Sequence, residues 1–261
     1  MSNTVPVDKT LRYIPRRHAM AMGLVAVWGH VTSHSQEPSN MGSIPVTDIL
    51  TARQQAIVPI AAFAAAGDIA KLHSALHQGL DSGLRVSDAK EILLQLYAYA
   101  GFPRSLNALG ELMKVLEARK QRGIQDKPGS APSRAIPKGD ALLDAGTANQ
   151  TKLSGGTVAG PLFDFAPEAN EYLRTHLFGD IFERDNLDWQ SRELATVGML
   201  SALPGAEPQL QAHMRIAMKV DITSEQLHAV TQVLAARVDS DAARRASEAL
   251  SLHLASLPAD K

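Results

Sequence analysis

The sequence contains no cysteine among its 261 residues. A cysteine thiolate is the nucleophile of thiol peroxidases and of disulfide reductases, and its oxidation passes through a sulfenic acid or a disulfide. Chemistry of that kind is therefore excluded for this chain, and so is a fold held together by disulfide bonds.

The sequence also lacks a strong charge of either sign and the motifs of several enzyme classes. Its 26 basic and 27 acidic residues give a net charge of −1, so the composition does not indicate nucleic acid or an anionic membrane as a partner. No phosphate-binding loop, Gly-x-Gly-x-x-Gly run or nucleophile elbow is present. His73 and His77 are four residues apart, but the residues between them lack the glutamate of a His-Glu-x-x-His zinc site. We therefore expect neither a cofactor nor a metal.

What is present is helical patterning throughout. Hydrophobic residues make up 45% of the chain, and runs of β-branched residues are scarce, which predicts an all-α protein. Thr51 and Gln54 have the spacing of a capping box at the start of an apolar helix. Gly101 interrupts a later helix, and Pro103 then opens the next one.

The stretch from Arg192 to His213 holds the main candidate site. Two apolar helical runs meet at Gly205, with Glu193 12 residues before that turn and His213 8 residues after it. At a rise of about 1.5 Å per residue, these positions lie roughly 18 Å and 12 Å along two antiparallel helices, within about one turn of the same depth. Both side chains lie on apolar stripes and should face inward. A buried carboxylate and imidazole can act as an acid/base pair, or can simply join two helices.

Two motifs resemble the carboxymuconolactone decarboxylase family of the alkylhydroperoxidase-D-like superfamily. They are RELATVGMLSALPGAEPQLQAH, from Arg192 to His213, and QLYAYAGFPRSLNAL, from Gln95 to Leu109. The resemblance implies cofactor-independent decarboxylation or proton transfer on a small organic or lactone acid, hence a carboxy-lyase. His213 would then be the proton donor, with Glu193 orienting it. Superfamily members that act as thiol peroxidases carry two cysteines ahead of this histidine, where this chain has Ala206 and Gln209.

The resemblance also suggests residues that bind the substrate. Arg104, at a helix start, and Arg192, which points about 100° away from Glu193, are candidates for holding the substrate carboxylate. Tyr97, Tyr99 and Phe102 would supply an apolar wall, although plain core packing is the more common role for a residue like Tyr97. His176 is a further candidate, although a lone histidine on such a helix is more often structural.

The two halves of the sequence match at a constant offset. Gly67 and Gly205 are 138 residues apart, and so are Leu72 and Leu210. We therefore predict a tandem repeat of one helical unit, with a tail or export signal at 1–43, a first repeat at 44–120, a linker at 121–160 and a second repeat at 161–261. At the positions of Glu193 and His213 the first repeat has Gln55 and Ala75.

Two expectations concern the cell and the assembly. Arg16 and Arg17 precede a short apolar stretch, as in a twin-arginine export signal, so the periplasm is an alternative to the cytoplasm. That stretch is too short to span a membrane. The family resemblance implies a homo-oligomer, with a trimer expected. The alternative to an enzyme is a non-catalytic helical oligomer in which the Glu193–His213 pair is structural.

Overall fold

The computed structural model describes residues 49–257, which form eleven α-helices and one π-helix and contain no strand. The prediction of an all-α protein is confirmed.

None of the helices in this range is both long enough and apolar enough to cross a membrane. The tail or export signal predicted at 1–43 lies outside the described residues, so cytoplasm and periplasm both stay predictions.

The helices of the first half are α1 (Ala52–Ala66), α2 (Ile69–Asp81), α3 (Val86–Gln95) and α4 (Tyr97–Gln121). The middle of the chain forms α5 (Asp140–Ser154), α6 (Pro161–Phe165), α7 (Pro167–Tyr172) and the π-helix (Leu173–Ile181). The last four are α8 (Trp189–Ser201), α9 (Glu207–Lys219), α10 (Ser224–Arg237) and α11 (Ser240–Ala255).

Helices α1 and α8 pack against each other at the centre of the main core. Helix α1 is apolar on all sides, and its residues from Ala56 to Ala65 are buried, as its sequence predicts. The predicted capping box is present, since Thr51 accepts from the Gln54 amide while the Gln54 side chain bonds the Thr51 amide. Both halves of the chain therefore contribute to one hydrophobic core.

The predicted break before Pro103 lies inside α4. Gly101 has φ 80° and ψ 161°, a backbone conformation that interrupts the helix between Ala100 and Phe102. The break turns the first part of α4, with Tyr97 and Tyr99, towards the second half of the chain.

The segment predicted as a linker, 121–160, contains the helix α5, which the sequence analysis did not identify. Helix α5 packs along the π-helix, where Asn149 Nδ2 donates to the Phe178 carbonyl at 2.9 Å. A second, smaller core forms there, made of Leu153, Leu177, Phe178, Ile181, Phe182 and Ile216. Tyr97 and Tyr99 pack against this core, so the middle segment lies next to two of the three candidate aromatic residues.

The two halves have equivalent geometry at equivalent positions. Shifted by 138 residues, α2 (Ile69–Asp81) coincides with α9 (Glu207–Lys219). Gly67 and Gly205 both have positive φ, and Gly83 corresponds to Asp221, the one non-glycine residue with positive φ in the described range. These correspondences support the tandem repeat, which stays a prediction.

Candidate functional site

Glu193 and His213 meet between α8 and α9. Glu193 Oε2 lies 2.8 Å from His213 Nδ1, as the helical spacing predicts. Glu193 is fully buried, and the His213 side chain exposes 10% of its surface. The pair therefore has one edge, on the histidine, that a ligand can reach.

The helix α8 is what holds Glu193 in place. Its N-terminus is capped by Asp188, which accepts from the Ser191 amide at 2.7 Å, and its residues from Ser191 to Ser201 are buried. Only one oxygen of Glu193 has a partner, since Oε1 is buried without a hydrogen bond from the described part of the chain. Buried carboxylate oxygens are nearly always hydrogen-bonded. Glu193 Oε1 is therefore free to accept a hydrogen bond from a ligand.

Tyr99 borders the pair from the first half of the chain. Its ring meets the His213 ring edge to face, with 5.6 Å between the centroids and 76° between the planes. Its hydroxyl lies 3.2 Å from Thr196 Oγ1, which Gln95 also reaches at 2.7 Å. Burial, and then the nearby charge of Glu193, raise the pKa of Tyr99, so the phenol stays protonated. Tyr99 therefore borders the pair, and its predicted role as an apolar wall for the substrate stays a prediction.

The Arg192 guanidinium lies within the core. It is fully buried, and its Nη2 lies 3.1 Å from Glu91 Oε2 and 2.8 Å from the Arg184 carbonyl. Burial lowers the pKa of Arg192, and the charge of Glu91 opposes that shift. Since Nη2 is bound within the core, we assign Arg192 to positioning α8 against α3.

The other predicted site residues have partners elsewhere. Arg104 Nη1 donates to the Ala65 carbonyl at the end of α1. Tyr97 stacks on Phe102 with 4.6 Å between centroids, and Phe102 is exposed. His176 is exposed and bonds Asp180 at 3.1 Å. Of the predicted residues, the structure thus brings Glu193 and Tyr99 into contact with His213.

Glu91, Gln95 and Thr196 were not predicted from the sequence. Gln95 Nε2 donates both to Thr196 Oγ1 and, at 3.1 Å, to the Arg192 carbonyl, so these residues connect α3 to α8. The only sequence signal was the four-residue spacing of Glu91 and Gln95, which places two polar residues on one face of an otherwise apolar helix.

The two histidines considered for a metal are bound differently. His73 Nδ1 lies 2.7 Å from Glu111 Oε1, while His77 Nδ1 lies within 3.4 Å of Arg119. Burial and the neighbouring cations His73, Arg122 and Arg119 lower the pKa of His77. The positive surroundings of His77 do not favour a bound cation.

The second half of the chain is similar to a known protein family. Residues 167–251 match the model of the carboxymuconolactone decarboxylase family, a range that includes the helices of Glu193 and His213. No curated protein matches the chain significantly.

Proposed function

Residues 167–251 match the model of the carboxymuconolactone decarboxylase family, and from this match we propose that the protein uses Glu193 and His213 for cofactor-independent decarboxylation or proton transfer on a small organic or lactone acid. The observation that carries the proposal is the buried contact between these two side chains, in which the second oxygen of Glu193 has no protein partner in the described range. A pair that only joined two helices would be expected to use both oxygens.

The hydrogen bond between the two side chains supports a proposed role for each. With Glu193 ionised, His213 Nδ1 carries the proton of the 2.8 Å contact, so Nε2 is the ring nitrogen that exchanges protons with the substrate. Tyr99, protonated and in edge-to-face contact with the imidazole ring, keeps that ring in place and excludes water. His213 is thus the catalytic residue, and Glu193 acts through it.

The proposed reaction consumes one proton. Cleavage of the bond between the carboxylate carbon and the adjacent carbon releases carbon dioxide and leaves the electron pair on the substrate as an enolate. His213 Nε2–H of the imidazolium then protonates the enolate carbon, and solvent returns a proton to Nε2. The apolar surroundings favour loss of carbon dioxide because they remove water from the departing carboxylate.

We further propose that the protein is a homo-oligomer, a trimer by family resemblance. Phe102, Leu106 and Met113 are large apolar side chains, 59%, 62% and 72% exposed on α4. Their spacing places them along one helix face, and an exposed apolar face of this kind is typical of a protein interface.

The test of the catalytic proposal is activity of matched variants. Release of carbon dioxide and incorporation of solvent deuterium would be measured on a panel of lactone acids and β-keto acids. We expect Glu193→Gln and His213→Asn to lower the rate by about 10²- to 10⁴-fold, with an unchanged circular dichroism spectrum. Glu225→Gln and His228→Asn, both exposed, are the controls and should keep full activity.

Two results would contradict the proposal. If His213→Asn lowers the melting temperature by several degrees and the wild-type protein turns over none of the acids, the pair is structural, as in the alternative of a non-catalytic helical oligomer. If the wild-type protein is active and neither variant slows it, the reaction takes place elsewhere.

A further inference from the structure

A cleft unrelated to the Glu193–His213 pair lies between α3 and residues 128–132 of the middle segment. Its volume is about 440 Å³, within the range of roughly 300 to 1,000 Å³ typical of small-molecule sites. Val86, Leu94 and Leu109 form an apolar wall, whereas Ser87, Arg184 and Asn186 form a polar one.

Backbone hydrogen bonds fix the middle segment over this cleft. The Val86 amide donates to the Lys127 carbonyl at 2.9 Å, and the Ser87 amide donates to the Pro128 carbonyl at 3.0 Å. On the opposite side, Asn186 Nδ2 donates to the Ser130 carbonyl at 3.2 Å. Hydrogen bonds therefore join residues 127–130 to α3 on one side of the cleft and to Asn186 on the other.

Two buried polar atoms at the cleft have no hydrogen-bond partner among the described residues: Ser87 Oγ and Asn186 Oδ1. Ser87 is only 9% exposed. The orientation of the Asn186 amide is set by its nitrogen, which donates to Glu91 Oε1 at 3.0 Å and to the Ser130 carbonyl. Its oxygen thus requires a donor, while the Ser87 hydroxyl can both donate and accept.

The charge at the cleft is positive. Glu91 is the buried acid here, and Arg184 binds it through two hydrogen bonds of 2.7 and 2.9 Å, with Arg192 behind it at 3.1 Å. Burial alone would raise the pKa of Glu91, but the bonds from Arg184 and Asn186 and the charge of Arg192 outweigh it and lower the pKa. Two arginines against one carboxylate leave a net positive charge, to which Lys90 adds at the exposed rim.

We propose that this cleft binds a small carboxylic acid that also carries a hydroxyl group. The carboxylate lies near Lys90 and Arg184. The ligand hydroxyl donates to Asn186 Oδ1 and accepts from Ser87 Oγ, which satisfies both unpartnered atoms, and the carbon frame packs on Leu94 and Leu109. The site shares no residue with the catalytic proposal and does not depend on it.

Isothermal titration calorimetry tests the proposal, with 3-hydroxybenzoate as the probe. Benzoate removes the hydroxyl and 3-hydroxybenzamide removes the charge, so both should bind the wild-type protein at least about fivefold more weakly. Ser87→Ala should weaken 3-hydroxybenzoate about five- to tenfold without loss of stability, since the hydroxyl it removes is unpartnered in the folded chain. Lys90→Gln should weaken it by a smaller factor that vanishes at high salt.

Lys120→Gln, an exposed lysine on α4, is the charge-matched control and should leave binding unchanged. His213→Asn should also bind normally. The proposal is overturned if 3-hydroxybenzoate does not bind, if benzoate or the neutral amide binds equally well, or if Ser87→Ala binds with unchanged affinity. Loss of binding in His213→Asn alone would place the acid at the Glu193–His213 pair instead.

Discussion

Glu91 Oε2 and Arg192 Nη2 lie 3.1 Å apart and form an ion pair between the two halves of the chain. Arg192 is fully buried, and Glu91 is 3% exposed. Arg192 is the residue before Glu193 on α8. The Glu91–Arg192 ion pair therefore helps to position Glu193. Its importance lies in the penalty of leaving one buried charge without the other.

Removal of Glu91 is expected to destabilise the fold strongly. Glu91→Leu leaves the Arg192 guanidinium buried without its carboxylate and should lower the free energy of unfolding by about 3 to 5 kcal/mol. Urea denaturation followed by circular dichroism measures this. Glu168→Leu is the control, because Glu168 is exposed on α7 and its replacement should change stability by less than about 0.5 kcal/mol. A loss of under about 1 kcal/mol for Glu91→Leu would show that the pair contributes little.

The same ion pair predicts how stability depends on pH. The folded pKa of Glu91 is lower than the ordinary value of a glutamate, because the hydrogen bonds of Arg184 and Asn186 and the charge of Arg192 outweigh burial. A lowered folded pKa gives stability that is fully present above the unfolded pKa and is lost as the pH falls through the folded pKa. The stability advantage of the wild-type protein over Glu91→Gln should therefore be constant near neutral pH and decrease once the pH falls below about 4.5. Parallel urea titrations would refute this assignment if the advantage were unchanged down to pH 3.

The contact between Glu193 and His213 could be predicted from sequence because it depends on local geometry. Two helices joined by a short turn at Gly205 run antiparallel, so the number of residues from the turn determines how far along each helix a side chain lies. The apolar stripes determine which way each side chain faces. No information from distant parts of the chain was needed.

The partners of Arg192 could not be predicted in this way. Glu91 is 101 residues earlier in the chain, and helical periodicity says nothing about which distant helix packs against another. The helix α5 was missed for a related reason. Only three of its 15 residues are large and apolar. It is stabilised by the small core that Leu153 forms with the π-helix, which is a tertiary effect.

A third prediction concerns the crossing of α1 and α8 at Gly198. A Cβ added there would lie 2.8 Å from the Val58 carbonyl oxygen, closer than side chains come to backbone atoms. Gly198→Ala should therefore force the two helices apart and cost about 1 to 3 kcal/mol. Gly110→Ala on α4 is the matched control, since a Cβ there meets nothing within 4 Å, and it should raise stability by about 0.5 to 1 kcal/mol. Equal effects of the two substitutions on the melting temperature would contradict the close packing.

The last prediction concerns the apolar face of α4. Phe102, Leu106 and Met113 share that face and are more than half exposed, whereas such side chains are usually covered in an isolated protein. If this face joins copies of the chain, light scattering should give a multiple of the 28.0 kDa chain mass, three times for the expected trimer.

Leu106→Lys places a charge in the proposed interface and should shift the mass towards a single chain, because an unpaired charge is costly to bury between subunits. Leu252→Lys on α11 is the control, since Leu252 is 60% exposed against 62% for Leu106, and it should leave the assembly intact. A wild-type protein that is monomeric across a concentration series would contradict the trimer. An oligomer that Leu106→Lys leaves unchanged would place the interface on another face of the molecule.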